Sequence, residues 1–388
     1  MHNDLLPATG GYTDIAIGDL VTEAGVTIPE VSLRLHAFYT ATEGDADYAE
    51  FSAGPLPGTD LRQRPIILVE HALTGNGNVV DWWEDMVGEG KPIDTNRYLV
   101  LCANVLGGCD GSTGPSSPHP DGKAWGSRFP GLSIRDMVTA EKKMLDVLGI
   151  TQVHAIIGAS MGGARTLEWT LMYPDTVLAA LPIAVSARAS AWQIGIQSTQ
   201  IRFIEADPHW QGGDYYGTGL TPSEGMGQAR RIAHLTYRGE LEIDERFGTD
   251  PQVGENPLGP YRSPDQRFAV ESYLDLHAER LKKRFDPGTY AVLTDALNRH
   301  DVGRGRNGMN AALGSSQVPT MVVGVDTDIL YPLHQQEHLS RNLGDFIGLS
   351  KITSPTGHDG FLIESRQMGQ ILVKFLGKVE QLSAKPVE

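Results

Sequence analysis

The stretch Val153-His154-Ala155-Ile156-Ile157-Gly158-Ala159-Ser160-Met161-Gly162-Gly163 decides the fold of this chain of 388 residues. Its first half is a short apolar run typical of a buried strand, and the residues that follow, as far as Pro174, resemble a helix. A sharp turn from strand to helix strains the residue at the bend, so small neighbours such as Gly158 and Gly162 are needed. The helix N-terminus then directs free amides toward any negative charge formed at Ser160. The pattern predicts that Ser160 is a nucleophile.

The remaining apolar runs predict a mostly parallel sheet. Further strand-like runs occupy residues 66–69, 98–101, 177–185 and 319–323. Residues 135–148 place apolar side chains on one side and indicate a crossover helix. Because strands and helices alternate in this way, we predict an α/β-hydrolase fold with a mostly parallel sheet.

The alternation stops after Val185 and resumes only at Val318. The intervening chain has helical periodicity, which predicts a helical lid inserted over the active edge of the sheet. We therefore expect three parts: residues 1–185 as the first part of the core, residues 186–309 as the lid, and residues 310–388 as the second part of the core.

The composition indicates a folded protein with strong negative charge. Its 48 acidic and 32 basic residues give a formal charge of −16, which opposes attraction to nucleic acid or to an anionic membrane surface. The N-terminus lacks the pattern of a secretion signal, and no apolar run is long enough to span a bilayer. The two cysteines, Cys102 and Cys109, have no metal-type spacing. We expect a cytoplasmic protein without a nucleic-acid or membrane partner.

A serine nucleophile needs a base and a carboxylate that orients the base, and the C-terminal part of the chain offers both. Asp326 and Asp328 follow an apolar run and precede Pro332, so they compete for the role of the acid. The exposed tip of such a loop favours Asp328, whereas Asp326 suits a bracing role in the turn. His358 lies in a Pro/Gly loop after the acid, in the chain order Ser, acid, His.

The tetrahedral intermediate of acyl transfer also needs an oxyanion hole. The amide of Met161, directly after the predicted nucleophile, provides one donor. The loop after residues 66–69 is expected to provide the second through the backbone amide of Leu73.

Two other patterns have simpler interpretations. His334-Gln335-Gln336-Glu337-His338 matches a zinc signature but has no distant third ligand, so we interpret it as a surface helix and predict no metal site. The Gly-rich stretch 107–114 lacks the Gly-Lys-Ser/Thr ending of a phosphate loop. We predict that it is a tight turn that lines the pocket.

Seven motifs follow one another along the chain. They are His71-Ala72-Leu73-Thr74-Gly75, Asn104-Val105-Leu106-Gly107-Gly108-Cys109, Gly111-Ser112-Thr113-Gly114-Pro115, Ser133-Ile134-Arg135-Asp136, Ala159-Ser160-Met161-Gly162-Gly163, Ala229-Arg230-Arg231-Ile232-Ala233-His234-Leu235-Thr236-Tyr237 and Gly357-His358-Asp359. Together they resemble the homoserine O-acetyltransferase family of methionine biosynthesis, especially its actinobacterial members. The resemblance runs from about residue 12 to residue 375.

This resemblance implies an acetyltransferase that moves an acetyl group from acetyl-CoA to L-homoserine by a ping-pong mechanism. Ser160, Asp328 and His358 would be nucleophile, orienting acid and general base. No permanently bound cofactor is implied, because acetyl-CoA is a co-substrate. The family also implies a homodimer.

The resemblance further implies two substrate-binding residues, Arg230 in a lid helix and Asp359 beside the catalytic histidine. Their charges suit the carboxylate and the ammonium of an amino-acid acceptor. Tyr237, seven residues after Arg230 and therefore on the same helix face, is a candidate for a hydroxyl contact. Thr74 is a further candidate for a substrate contact.

The residues alone leave three alternatives open. A homoserine O-succinyltransferase would differ only by small changes in pocket volume. A serine esterase would have the same triad, since a fold does not fix the acceptor. A binding module with a vestigial triad would bind a ligand without turnover.

Overall fold

An eight-stranded sheet forms the centre of the computed structural model, which describes residues 9–40 and 64–383. The strands are β1 (Tyr12–Val21), β2 (Thr27–Phe38), β3 (Ile66–Glu70), β4 (Val87–Gly88), β5 (Ile93–Asp94), β6 (Leu99–Ala103), β7 (Ala155–Ala159), β8 (Ala180–Ile183), β9 (Thr320–Val325) and β10 (Phe346–Ile352). The order in the sheet is β1-β2-β6-β3-β7-β8-β9-β10, and β4 pairs with β5 separately.

The six strands from β6 to β10 in this order are parallel, whereas β1 and β2 form an antiparallel pair that joins β6. The predicted mostly parallel α/β sheet is therefore confirmed. The five predicted apolar runs form β3, β6, β7, β8 and β9. The sequence interpretation missed β1 and β2, in which buried residues alternate with more exposed ones, and β10, in which only Ile352 is buried. None of these three strands is a continuous apolar run.

Helices cover both faces of the sheet. They are α1 (Val79–Trp82), α2 (Ile134–Val147), α3 (Met161–Met172), α4 (Ala191–Glu205), α5 (Ser223–Tyr237), α6 (Glu240–Phe247), α7 (Ala269–Lys282), α8 (Pro287–Asn298), α9 (Met309–Gly314), α10 (Leu333–Asn342), α11 (Gly360–Ile363) and α12 (Ser365–Ser383). Within the described residues, none of these helices is long and apolar enough to cross a membrane.

The core consists of two apolar clusters, one on each face of the sheet. Alternate residues of β3 illustrate the division: Leu68 belongs to the cluster that contains Met137 of α2, and Ile67 belongs to the cluster that contains Phe375 of α12. This alternation follows from the opposite directions of successive side chains in a strand. The sheet therefore forms the middle layer between helices.

The chain between β8 and β9 contains α4 to α9. Helix α4 packs against α5 and α8, and α5 packs against α7. This is the stretch in which the sequence shows helical periodicity, and its helix α7 buries Tyr273 and Leu281. The division of the chain into two core parts and a lid stays a prediction.

Candidate active site

Ser160 lies at a sharp turn between β7 and α3. Its backbone has φ 56° and ψ −117°, a strained combination for a residue with a side chain. The Ser160 amide donates to the carbonyl of Ile183 at 2.9 Å, which ties the turn to β8. A Cβ at Gly162 would lie 1.9 Å from the carbonyl oxygen of Glu70, and a Cβ at Gly158 would lie 2.3 Å from the carbonyl oxygen of Gly162. The backbone therefore forms the strand, turn and helix that the sequence predicts, and only glycine fits on either side.

His358 and Asp328 form a buried pair close to this turn. Nδ1 of His358 lies 2.6 Å from Oδ2 of Asp328, and Oδ1 of Asp328 accepts the amides of Leu330 and Tyr331 at 2.8 Å each. Burial lowers the pKa of His358, but the charge and the hydrogen bond of Asp328, with the charge of Asp359, leave that pKa raised above its ordinary value. The histidine therefore has a fixed ring orientation and an increased basicity.

The competing carboxylate, Asp326, makes a different contact. Its Oδ1 accepts a hydrogen bond from the amide of Ser354 at 3.1 Å. The structure thus places Asp328 against the imidazole and Asp326 in a bracing position between two loops.

A pocket of about 200 Å³ brings the predicted site residues together. It is lined by Ala72, Leu73, Thr74, Gly75, Trp82, Ser160, Arg230, Tyr237, Arg284, His358, Asp359, Phe361 and Leu362. Asp328 and Met161 are buried behind this wall. Within the described residues no hydrogen bond joins Ser160 to His358, although both line the pocket. Contacts of this kind commonly tighten only when substrate binds.

The two amides predicted to form an oxyanion hole have no acceptor in the described part of the chain. Met161 is the first residue of α3, so its N–H is one of the amides that the helix leaves unpaired. Leu73 lies in the loop directly after β3 and lines the pocket. Both amides are therefore available to an oxygen bound beside Ser160.

The pocket also contains a guanidinium, that of Arg230, which forms no ion pair in the part of the chain that the structure describes. Nε of Arg230 is buried and has no hydrogen-bond partner among the described residues. Its guanidinium carbon lies 5.3 Å from the centre of the Tyr237 ring, which is within cation-π range. This arrangement holds a positive charge in place for an anionic group.

Asp359 supplies the opposite charge. Burial raises the pKa of Asp359, while the charges of His358, Arg230 and Arg238 oppose that rise. The nearest ion-pair partner is Nη1 of Arg238, 3.8 Å from Oδ2 of Asp359. A pocket with a free guanidinium and a loosely paired carboxylate suits a zwitterion.

Sequence reasoning missed several residues around the site. Arg284 lines the pocket and donates to the carbonyl of Thr74 at 2.7 Å. Tyr331 stacks on His358 with ring centres 5.3 Å apart. Tyr331 stands three residues after Asp328, so its place in the acid loop was a usable signal, whereas Arg284 follows α7 and carried none.

The structure gives different outcomes for the 334–338 motif and the Gly-rich stretch 107–114. The 334–338 motif lies in α10, where Glu337 pairs with Arg341 of the same helix. Within the described residues no group of three or more His, Cys, Asp or Glu side chains is arranged to hold a metal. The prediction that the Gly-rich turn lines the pocket was wrong, because none of residues 107–114 is among the lining residues. The amide of Thr113 donates to the carbonyl of Ser32 in β2 at 2.9 Å and holds the turn against that strand.

Comparison with known proteins gives consistent findings. Residues 65–365 match the family model described as alpha/beta hydrolase fold. The chain is 77% identical to a homoserine O-acetyltransferase of Corynebacterium jeikeium (strain K411), over 98% of this chain and 96% of that protein. It is 60% identical to a homoserine O-acetyltransferase of Corynebacterium glutamicum, over 96% and 95% of the two chains.

Among solved structures, the fold is similar to that of homoserine O-acetyltransferase from Bacillus anthracis. The TM-score is 0.80 at 20% identity, over 94% of this chain and 97% of that one. At this identity the likeness supports the fold alone, and the predicted α/β-hydrolase fold is thereby confirmed.

Proposed function

The chain belongs to the homoserine O-acetyltransferase family, and we propose that it moves an acetyl group from acetyl-CoA to the hydroxyl of L-homoserine through an acetyl-enzyme on Ser160. One observation carries the proposal. The pocket lined by Ser160 and His358 is also lined by Arg230, whose guanidinium has no carboxylate partner among the described residues. An amino-acid acceptor supplies the missing carboxylate.

In the first half-reaction, Nε2 of His358 takes the proton of the Ser160 hydroxyl while Oγ attacks the thioester carbonyl of acetyl-CoA. The amides of Leu73 and Met161 stabilise the negative oxygen of the tetrahedral intermediate. The C–S bond then breaks, and the CoA thiolate takes the proton from His358. Acetyl-Ser160 remains in the pocket.

In the second half-reaction, the acceptor replaces CoA. Arg230 binds the carboxylate of homoserine, Asp359 binds its ammonium, and Tyr237 and Thr74 provide further polar contacts. His358 takes the proton of the homoserine hydroxyl as its oxygen attacks the acetyl carbonyl. The ester bond to Ser160 then breaks, and Oγ recovers the proton from His358.

Exclusion of water decides whether this chemistry is transfer or hydrolysis. Arg230 and Tyr237 reach the pocket from α5, which belongs to the helices between β8 and β9. We propose that residues 186–309 act as a lid and that residues 1–185 and 310–388 form the core. As the family resemblance implies, we also propose a cytoplasmic homodimer that serves methionine biosynthesis without a permanently bound cofactor.

A comparison of donors and acceptors tests this proposal. Purified protein is given acetyl-CoA with and without homoserine, and free thiol and acetylated homoserine are measured together. We expect one equivalent of thiol per chain without homoserine, from formation of the acetyl-enzyme, and further thiol release that depends on homoserine and matches product formation. Continued turnover of thiol without homoserine would indicate a serine esterase, and faster turnover with succinyl-CoA would indicate a homoserine O-succinyltransferase.

A further inference from the structure

In the loop after β3, the peptide group that contains the Leu73 N–H is held by hydrogen bonds to its carbonyl oxygen, which belongs to Ala72. Nε2 of His71 accepts the amide of Val105 at 3.0 Å. Since an amide can only donate, Nε2 carries no proton, and the proton lies on Nδ1. Nδ1 is 2.8 Å from the carbonyl oxygen of Ala72, to which it therefore donates, and the amide of Gly75 donates to the same oxygen at 2.9 Å.

These two donors act on the peptide group whose N–H belongs to Leu73. In a trans peptide the carbonyl and the N–H point in opposite directions, so fixing the Ala72 oxygen fixes the direction of the Leu73 N–H. Donation to the carbonyl also polarises the peptide and strengthens its N–H as a donor.

Arg165 provides a second anchor for the same loop. It lies on α3, one turn after Ser160, and its side chain is completely buried. Nη2 of Arg165 donates to the carbonyl of His71 at 2.6 Å. The guanidinium thus connects the helix that begins with Met161 to the loop that carries Leu73.

Two buried carboxylates hold Arg165 in place. Nη1 lies 2.5 Å from both Oε2 of Glu70 and Oε1 of Glu141, and the other oxygen of Glu141 accepts the indole N–H of Trp169 at 3.0 Å. Burial raises the pKa of Glu70 well above its ordinary value, and the nearby charge of Glu141 adds to the rise.

The same cluster keeps the imidazole of His71 neutral. Burial and the charge of Arg165 lower the pKa of His71 to about 3, and both effects disfavour the charged form. A neutral ring is the form that can accept from Val105 and donate to Ala72 at the same time.

We propose that His71 and Arg165 are positioning residues that aim the Leu73 amide and set its distance from the Met161 amide. The proton-transfer steps at Ser160 and His358 use neither residue, and both are buried and do not line the pocket. The inference rests on the proposed oxyanion role of Leu73 and Met161, and the experiment below separates its failure from a failure of that role.

The test compares His71→Ala, His71→Asn, Arg165→Met and a control, Leu20→Ala. Asparagine keeps an N–H donor at the position of Nδ1, whereas alanine removes it. Leu20 is fully buried in β1, at the far edge of the sheet, so its truncation destabilises the protein without touching the loop. The amount of folded enzyme in each sample is set by active-site titration with a phosphonate ester.

The readouts are the rate of acetyl-enzyme formation from p-nitrophenyl acetate, the KM for homoserine, and the affinity for a small alkyl boronic acid. The boronate forms a tetrahedral anion on the serine and therefore reports on the oxyanion hole. For His71→Ala and Arg165→Met we expect acetylation and boronate affinity to fall together by about 10- to 100-fold, with an unchanged KM. His71→Asn should recover most of this loss, and Leu20→Ala should match wild type.

Wild-type boronate affinity and acetylation rate retained by His71→Ala would overturn the inference, and this variant decides the question if Arg165→Met does not fold. A loss in which boronate affinity stays constant would also overturn it, since that indicates a structural role only. If the wild-type protein itself neither forms an acetyl-enzyme nor binds the boronate, the proposed function fails first.

Discussion

The substitution Gly162→Ala tests whether the close approach of α3 to the end of β3 sets the geometry of the nucleophile. The added Cβ would lie 1.9 Å from the carbonyl oxygen of Glu70, whereas real Cβ contacts are essentially never shorter than 3.0 Å. The two backbone segments must therefore separate by about 1.1 Å. This movement displaces Ser160 and Met161 relative to the loop that carries Leu73.

A misplacement of about 1 Å at a reacting centre lowers rates by about 100-fold. We therefore expect the rate of acetyl-enzyme formation to fall by about two orders of magnitude in Gly162→Ala. Overpacking also costs about 1–3 kcal/mol of folding free energy, which a urea unfolding curve measures. Stopped-flow release of thiol from acetyl-CoA in a single turnover measures the chemical step without product release.

The matched control is Gly195→Ala. Gly195 is exposed in the middle of α4, and a Cβ there meets nothing within 4 Å. We expect unchanged activity and a gain of about 0.5–1 kcal/mol in folding free energy, since alanine is the better helix former. If the Gly162→Ala variant forms the acetyl-enzyme as fast as wild type, the steric argument for the turn at Ser160 is refuted.

Three further predictions concern the polar residues of the site. Because only neutral His358 accepts a proton, kcat/KM should rise with pH through an apparent pKa above the ordinary value of histidine. Asp328→Asn should move this rise to lower pH and lower kcat by about 10⁴-fold. A pH-rate profile that does not move in this variant contradicts the assignment. Asp326→Asn should keep kcat within about threefold, since among the described residues its carboxylate accepts a hydrogen bond from a loop amide and none from His358. Arg230→Leu should raise the KM for homoserine by about 10- to 100-fold with unchanged acetylation by acetyl-CoA, and an equal loss in both half-reactions would exclude an acceptor-binding role.

The sharp turn at Ser160 could be predicted from the sequence because its sequence pattern is local. A strained turn permits only small neighbours, so Gly158 and Gly162 mark the bend around Ser160 without any knowledge of the fold. The buried parallel strands were found for a similar reason, since they are continuous apolar runs. Strand β10 was missed because three of its residues are only partly buried and three are exposed.

The residues proposed to bind the acceptor, Arg230 and Asp359, could not be predicted from local sequence patterns. In an amphipathic helix an arginine ordinarily indicates the solvated face, and only the packing of α5 over the sheet turns Arg230 toward Ser160. The family resemblance named Arg230 and Asp359, and the structure brings both to one pocket with Ser160. Their roles as substrate contacts remain predictions.

The role of Arg165 could not be predicted from the sequence either. Its burial depends on carboxylates from β3 and α2, which lie far apart in the sequence. Neither Glu70 nor Glu141 carries a local signal of this pairing. A cluster of this kind becomes visible only when three elements are assembled.

The central claim is an acetyl-enzyme on Ser160, and mass spectrometry of the intact protein tests it most directly. After rapid mixing with acetyl-CoA and no acceptor, we expect one acetyl group per chain, located on the peptide that contains Ser160. Addition of homoserine should remove this group and yield one equivalent of acetylated homoserine. Product formation without an acetylated chain, or acetylation that persists in Ser160→Ala, would contradict the account.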